Sequence, residues 1–230
     1  NNHRVEAIVA EKGPQYFFPG CNCEVTLKKG RKVIHHFAHK PPVSCNWAGG
    51  ETRAHLNAKQ VLADGLRQLG WSAEIEFTFE TLTGDRRADV AICNAQNDFI
   101  AFELQHSSIS LDNIERRAFS YSDANIIQLW IAFLKPSIWN KAVFCGGNEW
   151  FIEKYVAPPF ERWIHGLHMG EGMWMYDQRD DTFWNVKQGT HMIDVPYSTW
   201  YSQGGEEQSA GGFSKPSKKW KDLTLKGPYK

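Results

Sequence analysis

Three short apolar segments follow one another between two segments of helical periodicity, and this order limits the fold more than any other feature of the sequence. The apolar segments are Ala73–Phe79, Ala88–Cys93 and Phe99–Gln105, and turn-rich stretches (TLTGDR and NAQND) separate them. Three successive strands favour an antiparallel meander. A crossover through a following helix gives the meander one parallel neighbour. The segment predicts a sheet of mixed strand direction.

The flanking segments supply the helices. Apolar residues between Glu51 and Leu69 recur at helical spacing, and Gly70 follows as a stop signal. A second helix is predicted from Leu111 to about Asp123, and the apolar run Ile126–Phe133 predicts a buried strand. The expected order is therefore α-β-β-β-α-β, which indicates a mixed α/β (α+β) fold.

The two ends of the chain are less regular. The first 48 residues are rich in Cys, His, Pro and Gly and predict short strands, with VEAIVA first and then a hairpin, CEVTLKKGRKVIHHFAH, that turns at Lys29-Gly30. Glu149–His165 predicts a helix interrupted by Pro158-Pro159. A hairpin is predicted around the turn QRDD, between Met173–Tyr176 and Thr182–Val186.

The chain after Ser202 is polar and rich in Gly, Ser and Lys, which predicts a mobile tail or a loop closed by Trp220 and Leu223. We divide the sequence into a Cys/His-rich subdomain (1–48), a central core (49–135), an aromatic-rich extension (136–201) and this tail (202–230).

The charge balance sets conditions on any partner. The 26 basic and 26 acidic side chains cancel, so a nucleic acid would have to meet a local basic patch. No apolar run approaches the roughly 18 residues that span a bilayer, and the N-terminal residues lack the apolar stretch of a signal peptide. With five cysteines in no repeated paired spacing, a reducing cytoplasm and no membrane partner are expected.

Two carboxylates and an amide converge on neighbouring predicted strands. Asp89 begins the second strand, and Glu103 and Gln105, two residues apart, project from one face of the third. Two carboxylates can hold Mg²⁺ or Mn²⁺, which activates water and neutralises charge on a phosphate. Each residue also has a structural alternative: a turn cap for Asp89, an ion pair with Arg116 or Arg117 for Glu103, and an exposed strand edge for Gln105.

Five motifs (HHFAHK, ETRAHLNAK, RRADVAI, AFELQHSSIS and ERRAFSY) lie in this order across roughly residues 15–135. This pattern resembles the competence protein CoiA-like nucleases of the PD-(D/E)xK nuclease superfamily. The resemblance implies a restriction-endonuclease-like core of αβββαβ order with an N-terminal zinc-finger-like subdomain and a C-terminal α/β extension.

The resemblance also implies roles for individual residues. It puts the catalytic Mg²⁺ or Mn²⁺ on Asp89 and Glu103, with help from the carbonyl of Leu104. Gln105 stands where the family pattern usually has lysine, and Glu51 matches an additional acidic residue that completes the metal site. The alternative for Glu51 is an acid stabilised at the start of a helix.

Four further side chains are candidates for nucleic-acid contact. His55 and Lys59 follow Glu51 at four and eight residues and share one helix face with it. Arg117 and Tyr121, also four apart, match an Arg and a Tyr of the family pattern, and a guanidinium suits phosphate oxygens. The alternative for Lys59, Arg117 and Tyr121 is that each is an ordinary surface or core residue.

A Cys/His cluster near the N-terminus predicts a structural Zn²⁺ site, because thiolate and imidazole ligands favour tetrahedral zinc. The preferred ligands are Cys21, Cys23, His39 and Cys45, with His36 as a substitute. The Cys-x-Cys spacing departs from the usual Cys-x-x-Cys of the resembling proteins. A metal-free hairpin with buried thiols is the alternative.

The leading functional hypothesis is a metal-dependent nuclease that hydrolyses phosphodiester bonds, most simply in DNA, by Mg²⁺-activated water. If the resemblance holds, cleavage leaves a 3′-hydroxyl and a 5′-phosphate. Two other hypotheses stay open. One is a non-catalytic nucleic-acid-binding module on a nuclease-like core, which Gln105 in place of lysine leaves open, and the other is a zinc-supported protein-interaction domain. A protein partner or a homo-oligomer is compatible with all three.

Overall fold

A computed structural model describes residues 4–18, 21–30, 35–41, 51–94, 98–168 and 171–230. The chain divides into two units. The first consists of the chain up to Phe133 with Tyr176–Thr182 and Lys230, and the second of Leu134–Met175 and Phe183–Tyr229. The mixed α/β class is confirmed, with three α-helices and a larger share of strand in the described residues.

The first unit begins with a small antiparallel sheet of order β1-β2-β3. Its strands are β1 (Tyr16–Phe17), β2 (Glu24–Lys28) and β3 (His36–His39). β2 and β3 form the predicted hairpin. The expectation of a strand at VEAIVA is wrong, because the chain turns there and the N–H of Ala10 donates to the carbonyl of Glu6 at 2.9 Å.

The elements that follow have the order α, β, β, β, α, β along the chain. Strands β4, β5 and β6 pair antiparallel in sequence, and β6 pairs parallel with β7. The bounds are α1 (Arg53–Gln68), β4 (Ser72–Phe79), β5 (Arg86–Cys93), β6 (Phe99–Gln105), α2 (Leu111–Asp123) and β7 (Ile127–Phe133).

Both helices begin at side-chain caps. Thr52 Oγ1 accepts a hydrogen bond from the N–H of His55 at 3.2 Å, and Ser110 Oγ accepts from the N–H of Asn113 at 3.3 Å. Such caps satisfy N–H groups that have no partner within the helix. A buried cluster links α2 to the sheet and consists of Phe79, Ala88, Ala91, Ala101, Tyr121 and Ile126.

The strand register determines which side chains meet. Val90 of β5 lies opposite Phe102 of β6, so Asp89 and Glu103 are neighbours at one end of this antiparallel pair. The N–H of Leu104 donates to Asp89 Oδ2 at 2.8 Å, which fixes the carboxylate against β6. The backbone thus positions two of the predicted ligands before any metal is considered.

The segment Tyr176–Thr182 belongs to the first unit although it lies far along the chain. Asn57 Nδ2 on α1 donates to the Tyr176 hydroxyl at 2.9 Å and also contacts Asp181. The Tyr176 ring packs edge-on against Phe133, with 5.2 Å between centroids. This segment therefore completes the packing around α1 and β7.

The second unit has a sheet of order β10-β11-β14-β9-β8 and a separate hairpin of β12 and β13. A 3-10 helix over Pro136–Asn140 precedes its first strand. The bounds are β8 (Val143–Gly146), β9 (Glu149–Tyr155), α3 (Pro159–Leu167), β10 (Met173–Asp177), β11 (Thr182–Val195), β12 (Ser198–Tyr201), β13 (Glu207–Ala210) and β14 (Phe213–Tyr229). The last two residues of β10 and the first of β11 belong to the first unit.

Two expectations for this half are wrong. Glu149–His165 is not one interrupted helix, since Glu149–Tyr155 is strand β9 and the helix is confined to α3. The residues after Ser202 are not a polar tail, because β14 pairs antiparallel with both β11 and β9. Leu223 and Leu225 are fully buried there, so pairing across long sequence separations overrides the polar composition. No helix in the described ranges has the length and apolarity to cross a membrane.

Candidate active site

The ends of β5 and β6, together with α1 and α2, surround a cleft of about 800 Å³ in the first unit, which we call the carboxylate cleft. It holds both acidic and basic side chains. It is lined by Glu51, Thr52, His55, Asp85, Arg86, Arg87, Asp89, Glu103, Leu104, Gln105, His106, Ser107, Ser108, Ile109, Arg117 and Tyr121.

On the α1 side, one histidine lies between two carboxylates. His55 Nε2 is 3.1 Å from Asp89 Oδ2, and His55 Nδ1 is 3.8 Å from Glu51 Oε1. Burial acts to lower the pKa of His55, but contact with Asp89 and the charge of Glu51 outweigh it and raise the pKa. The imidazole is therefore held by negative charge on both sides.

Lys59 lies behind this group, and its side chain is only 2% exposed. Its ammonium contacts both oxygens of Glu51 at 2.7 Å and Glu76 Oε1 at 2.6 Å, and it is 3.9 Å from Asp89 Oδ1. Burial alone would lower the pKa of Lys59, but these carboxylates raise it. Lys59 does not line the cleft, so its charge holds carboxylates in place.

On the α2 side, Glu103 is buried and has two donors. Arg117 Nη2 forms an ion pair with Glu103 Oε2, and the Tyr121 hydroxyl donates to Glu103 Oε1 at 2.5 Å. The Arg117 guanidinium also lies over the Trp130 ring, 5.3 Å from its centroid. The ion pair with Arg117, the structural alternative for Glu103, is thus present. Glu103 nevertheless also lies beside Asp89.

The pKa values of the two neighbouring carboxyl groups are shifted in opposite directions. Burial raises the pKa of Glu103 to about 7, and the negative charge of Asp89 adds to the rise against the opposing effect of Arg117. Burial also acts to raise the pKa of Asp89, but His55, Lys59 and the Leu104 N–H hold it below its usual value. Asp89 is therefore the stable anion, and Glu103 is the carboxyl group poised to gain or lose a proton.

Three of these side chains fit a divalent cation. One ligand atom from each of Glu51, His55 and Asp89 lies within 4.8 Å of the others. His55 Nε2 is a buried atom without a hydrogen-bond partner of good geometry among the described residues, which is the state expected of a nitrogen that could take a metal. A bound cation would compete with the proton of His55.

The three candidate metal ligands that converge in the structure therefore differ in one member from the three predicted from the sequence. Glu51 and Asp89 were predicted as metal ligands and do converge. His55, predicted as a nucleic-acid contact, lies between them, whereas the Glu103 carboxylate faces Arg117 and Tyr121. Metal binding by Glu103 stays a prediction.

Gln105 lies at the end of β6 and faces the cleft. Its Nε2 donates to the Ser107 carbonyl at 2.6 Å, which ties the amide to the loop that follows. A primary amide has no basic pair at neutral pH, so Gln105 can orient a water or a phosphate but cannot remove a proton. Its role stays a prediction.

Sequence reasoning missed several residues in the cleft or behind it. Glu76 holds Lys59 from β4, and its spacing from Glu74 on a strand is the only signal that could have found it. His106, the residue directly after Gln105, shares a hydrogen bond of 3.1 Å between its Nδ1 and Thr52 Oγ1. Arg86 and Arg87 line the cleft and were visible as the basic pair in RRADVAI.

The predicted zinc ligands are only partly described. Cys21 Sγ lies 3.2 Å from His39 Nε2, so two of the preferred four side chains meet. Cys23, directly before β2, and His36, in β3, are half-buried, and Cys45 lies outside the described residues. Zinc binding by this set stays a prediction.

Comparison with known proteins gives matches over the first 143 residues. Residues 1–48 match the family model "Competence protein CoiA, N-terminal domain", and residues 51–143 match "Competence protein CoiA, nuclease-like domain". Competence protein CoiA of Bacillus subtilis (strain 168) is 30% identical over 121 residues, which are 52% of this chain and 32% of the relative. The aligned part is thus about a third of the length of that relative.

A crystal structure of a protein of unknown function, AF1548, is also similar over 36% of this chain and 48% of that one. Its sequence identity is 11% and its TM-score 0.29, which is too low to support any argument about fold. The two family models cover the small N-terminal sheet and every residue that lines the carboxylate cleft. The Tyr176–Thr182 segment, which contacts α1 and β7, lies outside them. Through these two domains, the chain belongs to the CoiA-like family.

Proposed function

We propose that the chain is a metal-dependent nuclease that hydrolyses phosphodiester bonds in DNA. One observation carries the proposal. Asp89 lies within reach of Glu51 and His55, with a second strand-borne carboxylate, Glu103, beside it, in an open cleft that also presents arginines. Acidic metal ligands facing a basic wall suit a substrate that is an anion and a reaction that needs a cation.

In this proposal Glu51, His55 and Asp89 hold Mg²⁺ or Mn²⁺, with Glu103 completing the site when Arg117 releases it. When bound, such an ion lowers the pKa of a water and neutralises charge on the scissile phosphate. Carboxylate oxygens are the preferred ligands of both ions, and one imidazole is compatible with Mn²⁺.

The protein groups around the ion have distinct tasks. Arg117 can move its charge between Glu103 and a phosphate oxygen, because its side chain is one-third exposed and its guanidinium is held over Trp130. Tyr121 keeps one oxygen of Glu103 fixed meanwhile. Lys59 aligns Glu51 through two short contacts and does not reach the substrate.

The order α1-β4-β5-β6-α2-β7 and the carboxylates on β5 and β6 support assignment of this unit to the PD-(D/E)xK superfamily. The lysine of that pattern is replaced by Gln105. Lys59 supplies an ammonium 3.9 Å from Asp89 from the helix instead, which keeps a cation beside the ligands although not on the cleft surface.

The test is cleavage by the full chain. Labelled single-stranded, nicked and duplex DNA, and RNA of matching sequence, are incubated with Mg²⁺, Mn²⁺ or EDTA. Asp89→Asn should lose at least a hundredfold in rate, whereas Asp123→Asn, an exposed matched change at the end of α2, should not. Binding without cleavage by the wild type, on every substrate and with every ion, would contradict the proposal and favour a non-catalytic binding module.

For the N-terminal sheet, the contact between Cys21 and His39 favours a structural zinc ion. Zinc content per chain is measured for the wild type, Cys21→Ser and the matched control Cys145→Ser, an exposed cysteine of β8. About one zinc lost only in Cys21→Ser supports the site. Equal and negligible zinc in all three would favour the metal-free hairpin and remove the basis for a zinc-supported interaction domain.

A further inference from the structure

A second pocket, which we call the arginine pocket, opens beside the carboxylate cleft. Its volume is about 380 Å³, and it is lined by Arg86, Ile109, Asn113, Arg116 and Arg117. Arg86, Ile109 and Arg117 also line the carboxylate cleft, so the two cavities share a wall. Three arginines line it, and among the described residues no carboxylate does.

Arg86 is held in this pocket by the buried hydroxyl of Ser120. Its Nε donates to Ser120 Oγ at 3.1 Å, and Ser120 is fully buried on α2. Ser120 Oγ is held in turn by Thr83 Oγ1 at 2.6 Å and by the Arg116 carbonyl at 2.9 Å. These hydrogen bonds fix the position of the Arg86 guanidinium. Within the described part of the chain Arg86 has no carboxylate partner, so its charge is not neutralised.

The other two arginines retain donors for a ligand. Arg116 contacts Asn113 Oδ1 and forms an exposed ion pair with Asp112 Oδ2 at 3.2 Å, where the side chains are 67% and 82% exposed. Exposed pairs of this kind contribute little and exchange readily. Arg117 uses Nη2 on Glu103, and a guanidinium has further N–H donors.

We propose that the arginine pocket binds a backbone phosphate of the nucleic acid next to the one that is cleaved. The inference rests on the proposed nuclease function and names a contact outside the metal site. Guanidinium forks match phosphate oxygens, and the pocket adjoins the metal-binding side chains through Arg86 and Arg117. Since the chain has no net charge, this local group supplies the attraction that its average field lacks.

The experiment measures binding of a fluorescein-labelled DNA duplex to the full chain in EDTA, by anisotropy, over a series of salt concentrations. Arg86→Gln and Arg116→Gln are compared with the wild type and with Arg162→Gln, an exposed arginine of α3 that gives the same change of charge. Arg116 is a surface residue, so its variant keeps the test valid if Arg86→Gln fails to fold.

Each pocket variant should weaken binding about tenfold, the effect of one charged hydrogen bond, and reduce the slope of log K against log salt by about one. Arg162→Gln should change neither. If both pocket variants bind with wild-type affinity and slope, the proposal is overturned. Cleavage by the wild type, which is measured separately, would then still support the nuclease. Loss of binding in the variants, with no cleavage by the wild type in Mg²⁺ or Mn²⁺, would instead overturn the nuclease and keep the pocket as a nucleic-acid contact.

Discussion

Among the described residues, each unit of the protein contains one buried glutamate that accepts a hydrogen bond from a tyrosine. In the first unit Tyr121 donates to Glu103, and in the second Tyr155 donates to both oxygens of Glu161 at 2.9 and 2.7 Å. The two glutamates are 2% and 3% exposed, and burial raises the pKa of each to about 7. By burial and pKa alone the two sites are equivalent.

Their neighbours separate them. Glu103 also faces Arg117 and lies beside Asp89 in an open cleft. Among the described residues, Lys135 is the one charged group that lowers the pKa of Glu161. A raised pKa therefore reports burial in both units, and it indicates a candidate active site only where further charged groups converge on a cavity. The predictions below test this distinction.

The largest expected difference is in activity. Glu103→Gln should reduce Mg²⁺-dependent DNA cleavage by about a hundredfold or more, because it removes a carboxylate from the proposed metal site. Glu161→Gln, the same change in the other unit, should leave the rate within about twofold of the wild type. Equal loss in the two variants would mean that the charged neighbours of Glu103 do not distinguish an active-site glutamate from a buried structural one.

The next effect concerns Arg117. Arg117→Met leaves the buried Glu103 without its cation and should cost about 3 kcal/mol of unfolding free energy at pH 8, the low end for a broken buried pair because Arg117 is one-third exposed. At pH 5 the cost should shrink, because Glu103 is then largely protonated. Urea unfolding in EDTA at both pH values measures this, and an equal cost at both would contradict it.

Glu161→Gln should stabilise the protein at high pH. The pKa of Glu161 is about 7 in the folded state, against 4.5 for an unperturbed glutamate. The folded state therefore binds the extra proton, and the wild type loses stability as pH rises from about 4.5 to about 7. The variant should gain about 2 kcal/mol at pH 8 and nothing at pH 4, as measured by urea unfolding. A variant less stable than the wild type at pH 8 would show that Glu161 is charged and well solvated.

The smallest effects belong to the tyrosine hydroxyls. Tyr155→Phe should cost about 1 kcal/mol at pH 8, because Glu161 loses its side-chain donor. Tyr121→Phe should cost less, since Glu103 retains Arg117. Thermal unfolding of the two variants tests this order, and a reversed order would mean that Arg117 does not support Glu103.

Local pattern was sufficient for the central core. The periodicity of α1 and α2 and the apolar strands β4 to β6 predicted these elements to within two residues, and Asp89 and Glu103 on adjacent strands followed from them. Glu51 was predicted on one helix face with His55, but it lies before the Thr52 cap and outside α1. Its carboxylate still lies beside His55, as the spacing of four residues suggested. These are short-range relations that a sequence displays directly.

The remainder depends on contacts between distant residues. The contact of His55 with Asp89 and the two bonds from Asn57 to the Tyr176 segment could not be read from spacing. Strand β14 was missed because its lysines and prolines obscured the alternation at Leu223 and Leu225, and its partners lie far away in the chain. Polar composition is a weak guide to order when a strand has neighbours on both sides.

The Tyr176–Thr182 segment has a practical consequence for dissecting the protein. The nuclease-like match ends at residue 143, so a fragment cut by sequence similarity would retain the carboxylate cleft and discard this segment. Asn57 would lose the Tyr176 hydroxyl and Asp181, and Phe133 would lose the ring that covers it. Such a fragment should expose apolar surface and aggregate, and an inactive preparation of it would say nothing about the chemistry of the cleft.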